Sequence, residues 1–103
     1  MGTGEPRITP QTLKVLAILM SHSQDEISGA EIARSTKLAS GTLYPILLRL
    51  EEAGWVESRW ESEDPHKLGR PRRRFYQVTG VGVSKARSAF RDVAASLKEF
   101  AWR

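Results

Sequence analysis

The sequence predicts a mainly α fold with a single β-hairpin, and three observations carry that prediction. Between Thr9 and Gly54, apolar residues recur at helical spacing in three blocks, each opened by a capping residue. From Trp55 the period changes to the alternation of a strand, and a turn-rich stretch separates two such runs. After Thr79 the helical spacing returns and holds almost to the end of the 103-residue chain.

Residues 1–8 read as a flexible N-terminal arm. Thr9 and Pro10 then open the first helix, threonine as cap and proline at the first helical position. Leu13, Leu16, Ala17 and Met20 make one apolar stripe on it, and Val15, Ile18 and Leu19 a second. A helix apolar on two sides is buried on two sides. Ser21 to Glu26 is a polar connection. Ile27-Ser28-Gly29-Ala30-Glu31 starts a second helix, with Ser28 and Glu31 spaced as a capping box. It ends near Thr36-Lys37, and Leu38-Ala39 leads to Ser40, the expected cap of a third helix reaching Ala53. Leu43, Ile46, Leu47 and Leu50 form its buried stripe, while Thr42, Tyr44 and Arg49 fall largely off it. Pro45 is tolerated if it lies among the first amides, which have no intrahelical acceptor. Gly54 ends the helix. Two helices with a tight link, the second polar at its leading end, have the pattern of a helix-turn-helix, although any helical hairpin shares it.

Trp55 to Trp60 alternates and is rich in β-formers, Glu61 to Gly69 is turn-like, and Arg73 to Val78 is the returning strand. A helix-turn-helix followed by a hairpin is a winged helix-turn-helix, so residues 9–78 form one unit. Thr79 caps the last helix. On it Val83, Ala86, Phe90, Val93, Leu97 and Phe100 form a heptad seam, with Lys85, Arg87, Arg91, Asp92, Lys98 and Glu99 mostly off it. A helix of this length spans roughly 33 Å, more than so small a domain needs. The seam can pack on the first helix of its own chain or on a second copy. Because the first helix has an apolar face to spare, residues 79–103 are expected to be a dimerisation helix, meeting Val15, Ile18 and Leu19.

The formal charge is +4, a modest total, so its clustering matters more. Arg70, Arg72, Arg73 and Arg74 fall in five positions, with His66 and Lys67 just upstream and no acidic residue between His66 and Val78. Such a run attracts phosphate. The chain has no cysteine, which excludes disulfides and thiolate metal sites and suits a reducing cytoplasm. The N-terminus has no secretory pattern, and the apolar block from Leu13 to Met20 is far too short to span a bilayer. His22 and His66 are the only histidines, fall in connections and form no metal-ligand pair; Glu61, Glu63 and Asp64 read as a solvated loop. Gly80-Val81-Gly82 lacks the spacing of a nucleotide loop. No catalytic residue, metal or cofactor is expected.

Three stretches together resemble the PadR family of bacterial transcriptional regulators. Ser28-Gly29-Ala30-Glu31-Ile32-Ala33 is similar to its second-helix motif. Gly41-Thr42-Leu43-Tyr44-Pro45, with Leu48-Arg49-Leu50-Glu51 and Gly54, is similar to its most distinctive stretch. Gly69-Arg70-Pro71-Arg72-Arg73, with Phe75-Tyr76 and Val78-Thr79, is similar to its wing return. The resemblance implies a homodimeric winged-helix repressor paired through its C-terminal helix, of the small subfamily with one such helix. It also implies a small aromatic effector at the dimer interface in some members. The tryptophan that stacks on ligand in one branch is replaced here by Val93, and Trp102 lies further along. Gly80 and Gly82 depart from the family's usual start to this helix, which predicts a looser first turn.

On this scheme the third helix enters the major groove, whose base edges are distinguishable. Ser40, Thr42 and Tyr44 stand at its leading end, and Gly41 lets backbones approach. Arg49 is placed for a phosphate or for Glu52, and Lys37 in the turn for a phosphate. The wing supplies Lys67, Arg70, Arg72, Arg73 and Arg74. Gly69-Arg70-Pro71 resembles an AT-hook core, in which an extended arginine enters a narrow minor groove. Plain phosphate contact is the simpler use, and alternation along the strand turns some arginines away. A two-fold dimer would meet a pseudo-palindromic operator of double-stranded DNA. The competing function is a protein-interaction module whose basic wing binds an acidic partner. Trp55, Trp60 and Trp102 are assigned by default to core packing.

Overall fold

A computed structural model describes residues 5–101. Its elements are α1 (Pro10–Ser21), β1 (Ile27–Ser28), α2 (Gly29–Thr36), α3 (Ser40–Glu52), β2 (Val56–Trp60), α4 (Pro65–Leu68), β3 (Arg74–Val78) and α5 (Gly80–Ala101). The chain is a winged helix-turn-helix: α1 to α3 make the helical body, β2 and β3 the wing, and α5 runs back across α1. The two outer helices close over one core. Val15, Leu16 and Leu19 of α1 meet Ile32 of α2, Leu43, Leu47 and Leu50 of α3, and Trp55, Val56 and Tyr76 of the sheet. No helix among the described residues is long and apolar enough to cross a membrane.

Local chemistry sets the helix ends. The Thr12 amide donates to Thr9 Oγ1 at 3.2 Å, with Pro10 in the first turn. At α2 the Glu31 amide donates to Ser28 Oγ at 3.1 Å, so the cap half of the capping box forms. The carboxylate of Glu31 instead faces Arg34 and His22. At α3 the expected cap is corrected: Ser40 is already helical, and the cap residue is Ala39, with no side-chain bond. Pro45 therefore lies beyond the first turn and deprives the Gly41 carbonyl of its helical donor.

Two elements were not legible in the sequence. Ile27 and Ser28, expected to begin α2, are a third strand, giving the antiparallel order β1-β3-β2 with Ile27 opposite Tyr76 and Ser28 opposite Phe75. Two residues carry too little periodicity to announce a strand. The wing tip, expected to be turn, contains α4, capped by Asp64, which accepts from the His66 amide at 2.9 Å, and closed by Gly69 at φ 69°.

α5 begins as expected at Thr79, whose Oγ1 accepts from the Gly82 amide at 3.0 Å and donates to the Gly54 carbonyl at 2.7 Å. Its first turn is not loose. A Cβ on Gly82 would fall 1.9 Å from the Trp55 carbonyl oxygen, so glycine is what lets α5 seat against the corner leading into β2. The seam then divides. Ala86 lies in the chain's own core, Val83 and Phe90 are half-buried against it, and Leu97 and Phe100 are exposed. Val15, Leu19 and Ala86, expected at a dimer interface, are fully used inside the chain, because the core-facing side of α1 is Thr12, Val15, Leu16 and Leu19. Ile18 is half-buried against the same core. Trp55 packs in the core as expected, Trp60 is exposed and does not, and Trp102 lies outside the described residues.

Candidate nucleic-acid interface

Three pieces of backbone carry the expected site residues: the turn before α3, the open side of α3, and the wing. In the turn, buried Thr36 donates from Oγ1 to the Ile32 carbonyl at 2.8 Å and accepts from the Leu38 amide at 3.3 Å. Lys37 ends α2 in the left-handed region, φ 60°. A non-glycine residue there costs on the order of 1 kcal/mol. The side chain it carries stands exposed at the entry to α3.

Helical spacing puts Gly41, Pro45, Leu48 and Glu52 along the ridge of α3 farthest from its core stripe, and all four are exposed. Thr42 and Arg49 stand on one flank, in a groove of about 780 Å³ shared with Arg7. Tyr44 and Glu51 stand on the other flank. With Leu48 they line a cleft of about 600 Å³, whose far wall is Trp60, Arg72 and Arg73 of the wing. Tyr44 is 41% exposed but leans inward: a Cβ on Gly29 would lie 2.7 Å from its hydroxyl oxygen. Gly41 has open space where a Cβ would sit, so none of the described residues requires glycine there.

The wing arginines divide into two kinds. Arg70 forms a two-pronged pair with Glu61, Nη1 to Oε1 at 2.7 Å and Nη2 to Oε2 at 3.0 Å. Glu61 also accepts from the Arg73 amide at 2.9 Å. These bonds, Arg70 first, hold the Glu61 carboxyl down to about 2. The Arg70 fork, expected at a phosphate or in a minor groove, is engaged with Glu61 within the wing. Arg74 turns to the body. Its Nε donates to Ser58 Oγ at 3.1 Å, Ser58 donates to Glu51 Oε2 at 2.7 Å, and Nη2 lies 3.6 Å from Glu51 Oε1, with the guanidinium 5.1 Å above the Trp60 ring. This ties the end of α3 to the wing.

The rest of the charge stays outward. Among the described residues Arg72 bonds only a carbonyl, that of Glu63, at 3.0 Å. Among the described residues Lys37, Arg49, Lys67 and Arg73 form no ion pair; Arg49 does not meet Glu52. The structure thus brings Tyr44, Arg72 and Arg73 to one cleft and Thr42 and Arg49 to the groove across the ridge, with Ser40 and Lys37 at the helix entrance. Sequence reasoning passed over Leu48, although the helical spacing of its own core stripe puts that residue outermost. Glu61, expected in a solvated loop, is instead bonded to Arg70 and to the Arg73 amide, partners the sequence does not announce because the hairpin brings them to it. No group of three or more acidic, histidine or cysteine residues able to hold a metal occurs among the described residues.

A transcriptional regulator from Clostridium thermocellum, Cth-833, superposes with a TM-score of 0.72 at 19% identity, over 92% of this chain and 96% of that one. The protein smu.1704 from Streptococcus mutans UA159 gives 0.67 at 26% identity, over 87% and 84%. MepR of S. aureus in a complex with DNA gives 0.65 at 21% identity, over 92% and 71%. Among curated proteins no significant sequence match is found. Residues 15–88, more than two thirds of the chain, match the model of the transcriptional regulator PadR-like family. With the winged-helix fold and the three motifs in place on it, this chain belongs to the PadR-like family of transcriptional regulators and is a regulator, not an enzyme.

Proposed function

We propose that this regulator binds double-stranded DNA as a homodimer and represses transcription from a pseudo-palindromic operator. The observation that carries the proposal is the placement, around the open ridge of α3, of cations whose side chains form no ion pair among the described residues: Lys37 and Arg49 on the helical side, Arg72 and Arg73 across the cleft. Unpaired cations around an exposed helix are free to displace counterions from phosphates, the main source of affinity for a duplex. That MepR, which shares the fold, forms a DNA complex supports the same reading. α3 then enters the major groove, with Ser40, Gly41 and Thr42 leading. Residues 9–78 make the contacts to DNA, and the far half of α5 joins two copies through Val93, Leu97 and Phe100, leaving the inner half in its own core. A small aromatic effector would lie between those copies, where Val93 offers no ring to stack on. This function would be carried out in the cytoplasm, with the DNA.

Selection from a random duplex pool tests it. An enriched sequence with two-fold symmetry is expected. No enrichment, together with no binding of random duplex at low salt, would discard DNA and favour an acidic protein partner. The dimer has its own test: Leu97→Glu buries a charge in the proposed seam and should convert the dimer to monomer in sedimentation at micromolar concentration, with the fold intact. A wild-type chain already monomeric there would end this part of the proposal.

A further inference from the structure

The ridge of α3 that points farthest from the core carries Gly41, Pro45, Leu48 and Glu52. Gly41 has no side chain, Pro45 has neither a polar side chain nor an amide hydrogen, and Glu52 stands at the helix's far end. Thr42 and Tyr44, the residues whose hydroxyls suggest base reading, lie on the flanks, and the hydroxyl of Tyr44 is turned to Gly29. Leu48 is the one large apolar side chain on the crest, and it is 57% exposed. A lone leucine on an ordinary surface needs no explanation. This one shares its cleft with Arg72 and Arg73 as well as Glu51, and Arg49 follows it on the opposite flank beside Glu52, so cations stand on both sides of an apolar tip. The cations favour a polyanion and the tip an apolar group within it. In a DNA major groove that group is the 5-methyl of thymine, which apolar side chains contact.

We propose that Leu48 selects sequence by packing on a thymine methyl group in the major groove. The inference rests on the DNA reading above and adds the chemistry by which one operator position is recognised. The crest has no hydrogen-bonding side chain before Glu52, so discrimination there is by methyl contact, and the polar code of the base edges is left to the flanks and to the exposed main chain around Gly41.

Uracil provides the test, since it removes the methyl group and leaves every hydrogen-bonding atom in place. The probe is the duplex that the chain enriches from a random pool, remade with each thymine in turn replaced by uracil. With the wild-type chain, one position per half-site should lose about 4-fold in affinity, the size expected for one buried methyl group. With Leu48→Ala the same replacement should cost less than about 1.5-fold, since the methyl has lost its partner. Leu48 is exposed, so the variant should keep the wild-type melting temperature. The uracil scan of the wild-type chain decides the first arm even if it does not. An enriched duplex in which no uracil replacement matters, or one whose loss persists undiminished in Leu48→Ala, overturns the proposal and leaves DNA binding standing. Failure to enrich any duplex instead overturns the DNA reading beneath it.

Discussion

Arg70 and Arg74 differ from Arg72 and Arg73 in nothing the sequence displays. All four belong to one run, yet two are consumed by the fold and two are left outward. Arg70 is locked to Glu61 by two hydrogen bonds, and Arg74 is linked through Ser58 to Glu51 of α3. Arg72 meets only a carbonyl, and Arg73 forms no ion pair among the described residues. The acids that make the difference lie outside the run, Glu61 across the hairpin and Glu51 on α3. A basic run is therefore a poor count of the charge available to a polyanion. What counts is the charge left after the fold has taken its share.

The largest consequence falls on Arg72 and Arg73. We expect Arg72→Ala with Arg73→Ala to weaken binding to operator and to random duplex alike, by roughly 10- to 100-fold near physiological salt. Fluorescence anisotropy on both duplexes checks this; a loss confined to the operator would mean that these side chains read bases.

A smaller effect is expected at Arg74. Arg74→Ala unties α3 from the wing and leaves Glu51 with Ser58 alone, so urea unfolding should show a loss of about 1 kcal/mol. An unchanged midpoint would put Arg74 with the outward pair.

The smallest concerns acid. The carboxyl of Glu61 titrates at about 2 when folded, below its ordinary value of 4.5. A lowered folded value means that the clip contributes above the unfolded value and is lost as pH falls through the folded one. Between pH 4.5 and 2 the wing should loosen, and the indole proton of Trp60, next to Glu61, should shift in NMR spectra across that window. Glu61→Gln should remove this component. A shift of the same size in Glu61→Gln would assign it to another group.

The same division between local and long-range information marks what the sequence displayed. The caps at Thr9, Ser28 and Thr79, the stripe on α3 and the strand alternation after Trp55 are local, and they set the winged helix correctly. The three-stranded sheet depends on Ile27 finding Tyr76, and the tight start of α5 on Gly82 meeting the Trp55 carbonyl. Neither partner is near in sequence. The seam of α5 was visible as a period, but a period does not say which half is spent at home. Ala86 is buried in its own chain and Leu97 is not. In the site, the positions of Thr42, Tyr44 and Arg49 off the core stripe of α3 were legible from helical spacing. The withdrawal of Arg70 was not, because its partner is brought to it by the hairpin.

The salt dependence of duplex binding tests the division of the arginines most directly. Each phosphate neutralised adds roughly 0.9 to the slope of log affinity against log salt. The slope for Arg72→Ala with Arg73→Ala should fall by about 1.8 relative to wild type, and the slope for Arg70→Ala with Arg74→Ala should stay unchanged even where affinity drops. Equal flattening in both double variants would contradict it, because all four arginines would then be meeting phosphate.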